Sequence, residues 1–120
     1  MKAGRTLDQA LAGMREAAAK AVAFVDGAPC EAFVADEKTV YAVLFALAVV
    51  GEAAKQVPAA FREQHQYVLF KLAAGMRDKV IHEYFGVRRE RLWQTCRRDL
   101  PELIAGLDRI ATGRGGGVQP

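Results

Sequence analysis

Between Leu7 and Val25 the apolar residues Leu11, Met14, Ala18, Ala21, Val22 and Val25 recur at steps of three and four, one stripe of an α-helix. Asp8, Gln9, Arg15, Glu16 and Lys20 lie off that stripe. Asp26-Gly27-Ala28-Pro29 ends the helix, with glycine just past its end and proline beyond. Glu31 to Asp36 fits one short helical turn. A second long helix runs from about Asp36 to Gln56. Its middle is apolar nearly all round, which predicts burial on several sides and a central place in a bundle. Val57-Pro58 breaks it, and Pro58 is placed to open a short helix to about Gln64. The next helix spans about Val68 to Phe85, with Leu69, Leu72, Ala73, Met76 and Val80 as its core stripe and Gly86 at its end. Arg88 to Arg98 reads as helix. In "DLPEL", residues 99–103, Asp99 can cap a new turn, Glu102 follows three residues later, and Pro101 is tolerated in a first turn. Leu100, Leu103, Ile104, Leu107 and Ile110 continue a helical stripe. The final helix is therefore kinked, or is two helices end to end.

These elements predict an all-α fold: an up-and-down bundle of four main helices, with a short extra helix and a kinked C-terminal helix. One domain covers residues 1–111, and TGRGGGVQP, residues 112–120, reads as a flexible glycine-rich tail. Half of the 120 residues are hydrophobic, enough for one modest core. The longest apolar run, Val40 to Val50, is eleven residues, against the roughly 20 of a membrane span. The first ten residues lack the apolar run of a signal peptide, so a cytoplasmic protein without membrane contact is expected. Cys30 and Cys96 form no CxxC pair and are expected as free buried thiols. A net charge of +3 is compatible with an anionic partner without identifying one.

Several chemistries lack their residues. A carboxylate-bridged di-metal bundle needs Glu-x-x-His pairs, but Arg62 precedes His65 by three and Lys79 precedes His82 by three. Serine is absent, which removes a Ser-His-Asp triad. A cysteine–histidine pair stays open, although nothing in the sequence marks either thiol as activated.

The stretch "RDKVIHEY", residues 77–84, holds one of the chain's two histidines. On a helical wheel of about 100° per residue, Arg77 falls about 80° from the core stripe and Tyr84 within about 20° of Arg77. Position 82 falls near 220°, away from both. If Arg77 and His82 cooperate, either the helix ends irregularly or a second copy of the chain supplies part of the site. The bland reading is a solvated helix face.

"GMRDKVIHEYFGV" resembles the signature of the HEPN superfamily, and its Arg-x4-His-x-Tyr form resembles the HepT-like toxin branch. "DEKTVYAVLFALAVVGEAAK" at 36–55, "FREQH" at 61–65 and "LWQTCRRDLPELIAGL" at 92–107 match in the same order. The likeness covers about residues 7–111. It implies a metal-independent endoribonuclease toxin, with no cofactor, that cleaves RNA in the cleft of a homodimer. It implies Arg77 and His82 as the catalytic pair. On chemical grounds Asp78 or Glu83 is a candidate to orient the imidazole or tune its pKa, with a plain surface charge as the other reading of Asp78. The likeness further implies a cognate minimal nucleotidyltransferase as antitoxin, which silences the toxin by placing AMP on Tyr84. The chain departs from the pattern at Leu44–Leu47 and at Leu69-Phe70, which are more apolar than is usual in the family.

Two features lie outside the motif. Arg88, Arg89, Arg91, Arg97 and Arg98, with Trp93 among them, form the most basic stretch and are candidates for holding RNA phosphates. Trp93 itself reads as a core residue. Glu52 follows the apolar run directly, where a carboxylate either pairs with an arginine near the site or marks the helix's emergence into solvent. The competing function is a non-catalytic helical adaptor that docks a nucleotidyltransferase and leaves RNA uncut.

Overall fold

A computed structural model describes residues 6–86 and 88–115, including all of their side chains except those of residues 79, 81–86, 114 and 115. Seven α-helices and one π-helical turn make up these residues, and no strand occurs among them. No helix among them is long and apolar enough to cross a membrane.

Helix α1, Leu7–Val25, starts at a capping box. The Gln9 N–H donates to the Thr6 hydroxyl at 3.1 Å, and the Thr6 N–H donates to the Gln9 amide oxygen at 3.0 Å. The helix ends into Gly27, whose φ of 76° suits glycine. Helix α2, Cys30–Ala35, leads through Asp36 into α3, Glu37–Lys55. Asp36 caps α3 by accepting from the Thr39 N–H at 3.2 Å and the Thr39 hydroxyl at 2.6 Å. After α3 comes α4, Ala59–Gln64, with Pro58 at its N-cap. Arg62 turns back to close the end of α3, donating to the carbonyls of Ala54 at 2.8 Å and Val57 at 3.1 Å. Helix α5 is Phe70–Gly86, and α6 is Arg89–Gln94.

The expected irregularity in the last helix is a π turn, Thr95–Asp99, followed directly by α7, Leu100–Gly115. Pro101 has no N–H, and its ring would clash with the carbonyl of residue 97 in a regular helix. One extra residue is accommodated instead: the Leu100 N–H donates to Thr95, five residues back. Asp99 is thus inside a continuous helical path, not a cap between two helices. Helix α7 carries helical backbone four residues past residue 111, where the tail was expected to begin.

Helix α3 packs on both α1 and α5, and α1 packs on α7. The core joins Met14, Val25, Phe33, Val43, Leu47, Val50, Met76, Leu100 and Leu103. In α5 the deeply buried residues are Phe70, Ala73 and Met76, while Leu69, Leu72 and Val80 are half-buried. The apolar middle of α3 is not buried all round. Phe45 is 73% exposed and Tyr41 50%, and they share a stripe with Glu52 and Lys55. Cys96 is buried in the π turn, and burial pushes its thiol up to about 12, so it stays protonated and is no nucleophile. Cys30 is only half-buried.

Candidate active site

The motif's arginine stands where two helices almost touch. A Cβ built on Gly51 of α3 would lie 2.6 Å from the Arg77 backbone nitrogen and 2.9 Å from the Arg77 Cβ. Only a residue without a side chain permits this crossing. The close approach puts the next residue of α3, Glu52, beside Arg77. The Arg77 Nε lies 3.2 Å from Glu52 Oε1, and both side chains remain about half exposed. One helical turn along α3, Lys55 Nζ lies 3.6 Å from Asp78 Oδ1. Glycine thus sets the distance between the helices, and two ion pairs of opposite polarity flank the contact.

The Arg77 guanidinium is about half exposed, and a guanidinium can bind two oxygens of one phosphate side by side. The Glu52 carboxylate beside Nε holds the side chain in place. Glu52 therefore takes the first of its two anticipated roles. Asp78 reaches α3 rather than standing free.

His82, Glu83 and Tyr84 lie on the helical backbone of α5, which continues to Gly86, but their side chains lie outside the described residues. The regular helix removes one of the two routes for bringing Arg77 and His82 together, an irregular helix end before residue 82. Five residues of helix separate positions 77 and 82 by about 140° and about 7.5 Å of rise.

The five arginines of the basic stretch divide. Arg89 donates to the Val34 carbonyl at 2.8 Å and lies 3.9 Å from Glu37, tying α6 to the α2–α3 junction. Arg97 lies over the Trp93 ring, 5.3 Å from its centroid. Trp93 packs against the core and donates its indole N–H to the Ala28 carbonyl at 2.9 Å. Arg88, Arg91 and Arg98 are exposed. Among the described residues no three His, Cys, Asp or Glu side chains gather in a metal-ligating cluster.

The sequence raised Glu52 but passed over Gly51 and Arg62. An isolated glycine inside an otherwise apolar helix is the available signal for a close helix crossing. Arg62 carried no local signal, because its acceptors are the carbonyls of another helix's end.

A family model described as "Ribonuclease HepT-like" matches residues 14–110. A "Putative RNase" of Caldanaerobacter subterraneus is 47% identical over 79 residues, 66% of this chain and 70% of that protein. A "Putative RNase" of Methanocaldococcus jannaschii is 41% identical over 80 residues, 67% of this chain and 69% of that protein. A "Probable ribonuclease HepT" of Thermococcus cleftensis is also 41% identical over 80 residues, 67% of this chain and 73% of that protein. No solved structure matches significantly. With a family match across most of its length and relatives at this identity, the chain belongs to the HepT-like ribonuclease family.

Proposed function

We propose that the chain is a metal-independent endoribonuclease toxin whose cleavage site combines Arg77 and His82 from two copies of the chain. The observation that carries this reading is Arg77. It is half exposed and held beside Glu52 at a glycine crossing, and a guanidinium can donate to two oxygens of one phosphate.

Cleavage needs no metal if the ribose 2′-hydroxyl is the nucleophile. The 2′-oxygen bonds to the adjacent phosphorus as its proton leaves to a base. The bond from phosphorus to the 5′-oxygen breaks, and that oxygen takes a proton from an acid. The products are a 2′,3′-cyclic phosphate and a 5′-hydroxyl. Histidine titrates near neutrality and suits either proton transfer. Arg77 stabilises the charge that gathers on the phosphoryl oxygens in the transition state.

A dimer answers the angular separation of positions 77 and 82. The exposed apolar stripe of α3 supports it: Tyr41 and Phe45 lie in line with Glu52, and Phe24 of α1 is 44% exposed. Large exposed aromatics grouped on one face mark an interaction surface. A two-fold pairing there would bring two Arg77 residues to one cleft.

Neutralisation fits the same motif. A minimal nucleotidyltransferase antitoxin would transfer AMP from ATP to the Tyr84 hydroxyl, releasing pyrophosphate. The adduct adds negative charge and bulk on a helix that must receive an RNA phosphate. The test is expression of the chain alone and with such a partner. Alone it arrests growth, and together the protein carries AMP on Tyr84. Full neutralisation with Tyr84 unmodified contradicts the silencing step. Docking of the transferase without RNA cleavage points instead to the adaptor.

A further inference from the structure

A second group of residues, at the corner between α4 and α5, is built of rings that the cleavage chemistry leaves unused. Phe61 and His65 stack with centroids 4.1 Å apart and planes 23° apart. His65 Nδ1 lies 2.9 Å from the Phe61 carbonyl. A carbonyl only accepts, so Nδ1 donates in this contact. Tyr67 stands edge-on to His65, centroids 5.9 Å apart. Arg109 of α7 lays its guanidinium over the Tyr67 ring, 4.2 Å from the centroid.

The row is anchored from both sides. Buried Phe70 meets Phe61 edge-on at 6.2 Å. On the α7 side, a Cβ built on Gly106 would lie 3.1 Å from Val68, so the connection sits close against that helix. Tyr67 is nevertheless 41% exposed, and Arg109 over its ring and Lys71, four residues on, are exposed as well. Asp108, the neighbour of Arg109, has both carboxylate oxygens on Arg15.

A held aromatic face, a planar cation over it and an imidazole beside it are groups that recognise an unstacked nucleobase. We infer that the Tyr67–Arg109 pair, with His65 beside it, is a base-stacking subsite for single-stranded RNA whose scissile phosphate is held at Arg77. The inference rests on the ribonuclease reading and names how that substrate is held. Arg77 lies on α5, the helix that Tyr67 precedes by three residues.

The test uses the full chain with His82→Ala, so that bound RNA survives, and short single-stranded RNAs carrying 2-aminopurine at successive positions. Fluorescence anisotropy gives affinity, and quenching of the 2-aminopurine reports stacking. One position is expected to be quenched. Tyr67→Leu should remove that quenching and weaken binding about tenfold, whereas Tyr67→Phe should retain both. An abasic nucleotide at the quenched position should cost the parent about as much as the leucine substitution, and should cost the leucine variant nothing further. RNA cleavage by the unmutated chain, together with unchanged binding and quenching in Tyr67→Leu, overturns the subsite and leaves the ribonuclease standing. Weakened binding with the abasic penalty intact also overturns it, since the loss is then structural. Neither binding nor cleavage by any form overturns both.

Discussion

Arg15 and Arg77 each tie a pair of helices together, and they do so differently. Arg15 of α1 meets Asp108 of α7 with two bonds, Nε to Oδ1 at 2.6 Å and Nη2 to Oδ2 at 3.1 Å. Arg77 of α5 meets Glu52 of α3 with one contact at 3.2 Å. The four side chains are comparably exposed. In the first pair the fork closes on both carboxylate oxygens. The hydrogen bond from Arg15 holds the Asp108 carboxyl below its usual range, and the Arg15 guanidinium is correspondingly raised. In the second pair the arginine's backbone is pinned against Gly51. Residue type and exposure do not separate a helix clamp from a candidate catalytic group. The close backbone crossing that positions Arg77 does separate them.

The largest contrast is expected in activity. Arg77→Ala and His82→Ala should each relieve growth arrest, with cleavage falling by about a hundredfold or more, while Arg15→Ala should stay toxic. Thermal melting of each variant separates lost chemistry from lost folding. Gly51→Ala comes next. Its methyl group meets Arg77 backbone, so a loss of about 1–3 kcal/mol is expected, together with lost cleavage as Arg77 shifts. Gly106→Ala is its control: the neighbour is a Val68 side-chain methyl at 3.1 Å, and the change should stay under about 1 kcal/mol. Denaturant midpoints of the two variants decide this. Glu52→Gln keeps the shape and removes the charge that steadies Arg77, and should raise KM for RNA severalfold without unfolding the protein.

The smallest effect belongs to the clamp. Asp108→Asn should cost no more than about 1 kcal/mol, as for other exposed pairs, and should fade in high salt. The Asp108 carboxyl is lowered from 3.8 in the folded chain, so its stabilisation is present above that value. It is lost as pH falls through the lower folded value. Melting temperatures of parent and variant should therefore converge under strongly acid conditions.

The all-α bundle was legible because apolar periodicity, turn glycines and prolines all act locally. Pro101 announced the irregular last helix, and the missing N–H explains why it became a π turn. The face of α3 was not legible. The nearly all-round apolar middle predicted burial on several sides, but periodicity alone does not tell a covered apolar face from an exposed one, and Tyr41 and Phe45 are exposed. The roles of Arg62 and Arg89 also escaped, since their acceptors are carbonyls on other helices. That Glu52 could pair with an arginine was legible, but which arginine it meets depends on the crossing at Gly51, for which an isolated glycine is only a weak signal. His82 and Tyr84 entered through resemblance to the HepT-like motif, not through periodicity.

The most direct measurement is cleavage of a fluorescent single-stranded RNA by purified protein in excess chelator, comparing the parent chain, Arg77→Ala and Arg15→Ala. The account predicts that the parent and Arg15→Ala cut at similar rates, leaving 2′,3′-cyclic phosphate ends, and that Arg77→Ala leaves the RNA intact. Equal cleavage by a folded Arg77→Ala variant would contradict it.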